Sequence, residues 1–82
     1  MVNLKYKYIE FKLIKRKPKT EVWGIYNIRD GYLLGEIKWD IGWRQYTFYP
    51  ENAKFSESCL IDVLDFLKQI KTEYKKGFAG IY

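Results

Sequence analysis

A single stretch of helical periodicity, SESCLIDVLDFLKQIKTEYKK, nearly closes a chain of 82 residues that is otherwise built from short alternating runs. One amphipathic helix covers one face of a sheet, and no other part of the chain has the 3.6-residue spacing needed to cover the second face. Whatever sheet the remaining runs form must leave one face bare. The helix is expected over about residues 57–76, with Ser56 or Ser58 as N-cap, acidic residues in its first turns and Gly77 at its end. Leu60, Val63, Leu64, Leu67, Ile70 and Tyr74, flanked by Cys59 and Phe66, form its apolar stripe. Asp62, Asp65, Lys68, Gln69 and Thr72 point away.

Four strands are expected over about residues 5–16, 20–28, 32–39 and 43–49, with a tail at 77–82. The breaks between them carry Pro18, which no central strand tolerates, the hairpin dipeptide Asp30-Gly31, and Ile41-Gly42. Two-residue loops at all three breaks give the sheet one consistently apolar face: Ile9, Phe11, Leu13, Val22, Tyr26, Ile28, Leu33, Ile37, Trp39, Tyr46 and Phe48. The expected fold is α+β: one domain spanning residues 1–82, a four-stranded antiparallel meander with a C-terminal helix packed on one face. The bare face would then hold Tyr6, Tyr8, Lys12, Ile14, Arg16, Trp23, Ile25, Lys38, Trp43, Gln45, Thr47 and Tyr49. Large aromatic rings on an uncovered sheet mark a surface for a partner.

Charge narrows the choice of partner. The net charge is +5, but residues 1–20 carry seven Lys/Arg against one Glu, while the remainder carries eight against nine Asp/Glu. The basic character therefore belongs to the N-terminal segment. Exposed rings stack on unpaired bases and nearby cations neutralise phosphates, so a face of this kind suits single-stranded nucleic acid. In that reading Tyr6, Tyr8, Trp23, Trp43 and Tyr49 form the stacking platform, with Lys12, Arg16 and Lys38 among them. Lys5, Lys7, Lys15, Lys17 and Lys19 extend the electrostatic track. The alternative is a protein-interaction module: the same face pairing two copies as a homodimer or docking on a host protein, since Trp, Tyr and Arg dominate binding hot spots. Lysines on an edge strand also have a purely protective role against strand-to-strand aggregation.

Enzymatic chemistry is not expected. There is no histidine, and Cys59 is the lone cysteine, so a Cys/His zinc site, a His-based triad and an intrachain disulfide are all excluded. Cys59 beside the apolar stripe reads as a packed thiol. Asp62 and Asp65 read as part of a solvated helix face, and no glycine-rich phosphate loop is present. No metal or cofactor is expected. Met1 is followed by lysines among tyrosines rather than a signal-length apolar run, and no stretch is long enough to span a bilayer, so the expected location is intracellular and cytoplasmic, without a membrane partner.

Two resemblances bear on function. The strand-strand-strand-strand-helix order resembles the single-stranded-DNA-binding transcriptional coactivator family, small dimers that bind DNA with their sheets. The residues Leu34, Gly35, Ile37 and Trp39, then Trp43, Arg44, Tyr46, Phe48 and Pro50, then Cys59, Leu60, Asp62, Val63 and Phe66 are similar to a pattern close to L-G-x-I-x-W, W-R-x-Y-x-F-x-P and C-L-x-D-I-x-x-F-I. That pattern belongs to a group of small proteins of phages, mobile elements and bacterial genomes with no established activity. Val63 stands where that group often has isoleucine, and Thr47 where it often has cysteine. The resemblance covers about residues 20–70 and implies a viral or mobile-element origin and with it an accessory or host-defence-related role. Most of its residues fall on the expected core face, leaving Trp43 and Arg44 as the pair with a functional reading. For Arg44 the plain alternative is stacking on Trp39 at the rim of the core.

Overall fold

The computed structural model describes residues 2–51 and 53–78. Strands β1 (Ile9–Arg16), β2 (Glu21–Asn27), β3 (Leu33–Asp40) and β4 (Gln45–Pro50) form one antiparallel sheet in the order β1-β2-β3-β4, followed by helix α1 (Glu57–Phe78). The architecture is the α+β meander with one C-terminal helix that the sequence pattern predicts. Ser56 is the N-cap, its Oγ accepting the N–H of Cys59 at 3.3 Å. The helix continues through Gly77, and residues 79–82 of the expected tail lie outside the described residues.

The registers are where the structure departs from the two-residue-loop scheme. The first hairpin closes as expected, with Lys17 N–H donating to Thr20 O at 2.8 Å and the pairs Arg16↔Glu21 and Lys15↔Val22. One extra residue, Ile14, then enters β1, and the ladder resumes one position off at Leu13↔Trp23, Phe11↔Ile25 and Ile9↔Asn27. Because side chains alternate with a period of two, this bulge exchanges the two faces of β2. Trp23 and Ile25, expected on the bare face, lie on the core face, and Val22 and Tyr26 take their places opposite. A second irregularity, between Ile25↔Gly35 and Tyr26↔Leu33, inserts Leu34 and returns Trp23 to face Ile37. Leu33 is thereby paired with Tyr26 on the bare side, Leu34 packs against the core, and Ile28 belongs to a loop. Leu13 is on the core side but is exposed at the sheet edge. The third loop comprises residues 41–44, between the pair Asp40↔Gln45. It moves the register by two positions, so Ile37, Trp39, Tyr46 and Phe48 stay on the helix side as expected.

The reason for the β2 reversal is in the core. Ile9, Phe11, Ile25 and Ile37 from the sheet meet Val63, Phe66 and Ile70 from α1, all buried. Phe66 stacks on Phe11 with ring centroids 3.9 Å apart and planes 6° apart, and takes the edge of Trp23 at 5.3 Å. The reversal sets Trp23 and Ile25 against the helix while Val22 is buried as well, and the apolar contact it gains outweighs leaving the Trp23 indole N–H buried without a hydrogen-bond partner. Gly24 completes the exchange on the other face, since a Cβ there would come within 2.6 Å of Tyr26 Cε1 and 2.7 Å of Ile14 Cδ1. The buried stripe of α1 runs through Val63, Phe66 and Ile70, which rolls Leu60 and Leu64 outward to 47% and 51% exposure. The side chain of Tyr74, the last residue of the expected stripe, lies outside the described residues.

The first expected strand is also split. Tyr6 N–H donates to Ile9 O at 2.9 Å, reversing the chain so that residues 2–5 run back beside β1, where Phe11 N–H donates to Leu4 O at 2.7 Å and Lys5 bridges Glu10. Asn3 N–H donates to Gln69 Oε1 (2.6 Å), Tyr6 Oη donates to Asp65 Oδ2 (2.7 Å), and Gln69 Nε2 donates to both Tyr6 Oη (2.8 Å) and Asp65 Oδ2 (2.9 Å). This clasp pins the N-terminal strap to the helix. Partial burial holds the Tyr6 hydroxyl well above the usual tyrosine range, helped by hydrogen bonding to Asp65 and by the charges of Asp65 and Asp62, while donation from Gln69 opposes the shift.

Two outcomes are expected. A Cβ on Gly35 would sit 2.8 Å from the carbonyl oxygen of Tyr49 and 3.2 Å from Pro50 Cα, so Gly35→Ala must displace β4 backbone and is expected to cost about 1–3 kcal/mol by denaturant unfolding. Gly24→Ala, which meets only the movable ends of Tyr26 and Ile14, is expected to cost less. Because the folded protein keeps Tyr6 neutral, its contribution is complete below the ordinary tyrosine value of 10.0 and falls above it, as the unfolded chain ionises first. Tyr6→Phe is therefore expected to lower stability at neutral pH by about 1 kcal/mol or less and to lose less stability than the parent above about pH 10 in thermal melts.

Candidate nucleic-acid interface at the hairpin end of the sheet

The bulge disperses the aromatic platform that the sequence suggests. The bare face keeps Lys12, Lys38 and Tyr49, and Tyr26 joins them: Lys12 Nζ stands 5.2 Å from the Tyr26 ring centre and Lys38 Nζ 4.7 Å from that of Tyr49. Glu10 and Glu36 share that face, with Glu36 3.8 Å from Lys38, so the surface is of mixed charge and its rings already carry cations. Trp23 lies among core residues and Tyr6 is held against α1. Tyr8 is exposed at the far end of the sheet, with Lys7 Nζ 5.2 Å from its ring centre and Asn27, Ile28 and Arg29 nearby. Lys5 lies on the strap. None of these residues joins Trp43 in one surface.

A different set converges. In a meander the first and third loops lie at one end of the sheet and the second at the other, so the basic β1–β2 loop and the loop of residues 41–44 are neighbours. That end holds Lys15, Arg16, Lys17 and Lys19 from the first hairpin and Ile41, Trp43 and Arg44 from the third. Ile41 is 84% exposed and Trp43 67% exposed. Tyr46 ties the two hairpins together: its Oη accepts the N–H of Glu21 at 3.1 Å, while the Glu21 carboxylate lies 2.7 Å from the Arg16 guanidinium. Asp40, the other carboxylate here, accepts the N–H of Gly42 at 3.1 Å and so shapes the loop.

Between this loop and α1 runs a groove of about 390 Å³, lined by Trp39, Arg44, Gln45, Tyr46, Leu64, Leu67, Lys68 and Lys71. Trp39 and Tyr46 meet edge to face at 5.4 Å on its sheet side. The charged lining residues are all cations. Lys68 belongs to the helix face expected to be solvated, and Lys71 belongs to neither expected face. Each stands four residues after an apolar neighbour in the groove, Leu64 and Leu67, and that spacing is the signal that would have placed them here. Among the described residues, no group of three or more His, Cys, Asp or Glu is placed to hold a metal ion, and no helix is long and apolar enough to cross a membrane. Comparison with known proteins finds no matching family model, no similar curated protein and no similar solved structure, so the function of the chain is read from its own residues.

Proposed function

We propose that the chain is a non-enzymatic binding module for single-stranded nucleic acid, and that it binds with the hairpin end of the sheet. One observation carries this reading: the basic tip of the first hairpin and the exposed Trp43 beside Arg44 on the third stand at the same end of the molecule. A base in a duplex is stacked on both sides, whereas an unpaired base offers a ring face that Trp43 can take, with phosphates reaching Lys15, Arg16, Lys17, Lys19 and Arg44. The bare sheet face is the poorer surface, because Glu10 and Glu36 balance Lys12 and Lys38 there, whereas at the hairpin end the cations outnumber Glu21 and Asp40. Lys12 on β1, Lys5 on the strap and Lys7 in the turn between them then act as guards of the sheet edge.

A second reading is favoured by a separate observation. Leu60, Ile61 and Leu64 are exposed on α1, an apolar ridge suited to a protein partner, either a second copy in a homodimer or a host protein. The resemblance to phage and mobile-element proteins would place either activity inside a host cell.

Titration of the protein with a mixed-sequence DNA oligomer, followed by tryptophan fluorescence, separates the two. Nucleic-acid binding is expected to weaken with salt, with a slope of log affinity against log salt of roughly −2 to −4 for roughly three to five neutralised phosphates. Trp43→Ala is expected to cost about 1–3 kcal/mol, or roughly 5- to 150-fold in affinity. Salt-independent binding, or unchanged affinity in Trp43→Ala, would overturn the reading. A mass that doubles with concentration and tolerates salt would instead support the protein-interaction reading.

A further inference from the structure

The chain builds the same loop twice and fills its key position differently. Residues 28–31 and 41–44 each connect two strands. In each, the N–H of the last loop residue donates to the carbonyl before the loop, Gly31 to Asn27 at 2.8 Å and Arg44 to Asp40 at 2.7 Å. In each, the side chain of that preceding residue caps the second loop residue: Asn27 Oδ1 accepts the N–H of Arg29 at 2.8 Å and Asp40 Oδ1 that of Gly42 at 3.1 Å. In each, the last loop residue has a positive φ, 77° at Gly31 and 55° at Arg44. Glycine adopts this left-handed conformation without steric cost and an arginine does not. The first loop follows local preference. The second sets it aside and places an arginine there.

The place the arginine reaches explains the choice. Arg44 lines the groove with Lys68 and Lys71, and among the described residues it has no carboxylate partner. Three cations meet there beside apolar walls from Trp39, Leu64 and Leu67. This combination fits an aromatic ring carrying a phosphate: the apolar walls take the ring and a guanidinium grips phosphate oxygens through two parallel hydrogen bonds. The volume of about 390 Å³ is at the lower end of small-ligand sites, the size of a single nucleotide rather than a longer segment.

We infer that the groove is a site for one phosphate-bearing nucleotide, with Arg44 as its phosphate ligand. The inference rests on the nucleic-acid reading of this end of the molecule. The nucleotide comes either from the phosphorylated end of a strand or from solution, and the shared chemistry is the ring and its phosphate.

The test uses the full chain with four probes: adenosine 5′-monophosphate, adenosine, and a thymidine oligomer with and without a 5′-phosphate. The monophosphate is expected to bind at least about tenfold more tightly than adenosine. Arg44→Gly is expected to lose at least about tenfold of that affinity while melting at or above the parent temperature, because glycine relieves the left-handed backbone. Equal binding of monophosphate and adenosine, no binding of either, an unchanged affinity in Arg44→Gly, or a lowered melting temperature in that variant would each overturn the inference. Oligomer binding without any nucleotide binding would remove the groove site and leave the strand reading standing. Nucleotide binding without oligomer binding would do the reverse. Given monophosphate binding, a preference of about tenfold for the 5′-phosphorylated oligomer identifies the strand end as the source, and equal affinity for the two oligomers identifies free nucleotide.

Discussion

Phe66 lies flat on Phe11 and takes the edge of Trp23, and these three rings fasten the helix to the first two strands. Much else in the molecule follows from that contact. It requires Trp23 and Ile25 under the helix, which requires the bulge at Ile14, which in turn sends Tyr26 to the bare side to lie over Gly24. It also draws the buried line of α1 to Val63, Phe66 and Ile70, turning Leu60 and Leu64 outward and leaving the groove beside β3 and β4. A packing preference at one end of the sheet thus opens a site at its far side.

Much of this was legible in the sequence, and the failures have a common cause. The number and order of elements, an N-cap at Ser56 or Ser58 and the parity of Ile37, Trp39, Tyr46 and Phe48 follow from alternation and capping, and the structure decides the cap for Ser56. The facing of β2 does not. Val22, Gly24 and Tyr26 make as good an alternating set as Trp23 and Ile25, and a bulge leaves no mark on the residues it inserts. Only contact with the helix decides between the sets. Asp30-Gly31 marks a turn correctly, but the loop spans residues 28–31, because Asn27 also folds its side chain onto the backbone ahead of it. At the candidate site, Trp43 is legible because it falls outside the apolar face, and Arg44 because it is a cation at the rim of that face beside Trp39. The groove was hidden because Lys68 looks like any solvated lysine until the helix is placed.

Residues 43–50 carry aromatic rings of both parities in a sheet covered by a single helix. Trp43 is in the loop rather than the strand. Tyr46 and Phe48 lie under α1, and Tyr49 faces outward beneath Lys38. Lys12 covers Tyr26 in the same way. Lysine stems are apolar along most of their length, so they shield ring surface while keeping the ammonium in water. The uncovered side of the sheet is roofed by side chains where larger proteins would place a second helix.

The strap gives the molecule an order of assembly. Its clasp joins Asn3 to Gln69, residues separated by 66 positions, whereas the hairpins join near neighbours. Short loops close at lower entropic cost, so the turn at residues 6–9 lays the strap on β1 locally, and its clasp to Gln69 and Asp65 closes only after the helix that receives it is in place. Until then only its own turn and ladder hold the strap on the outer edge of β1. On a chain leaving the ribosome, that interval lasts for the synthesis of the rest of the domain, and the N-terminal lysines span it, since neighbouring nascent chains with the same positive edge repel one another before they can pair.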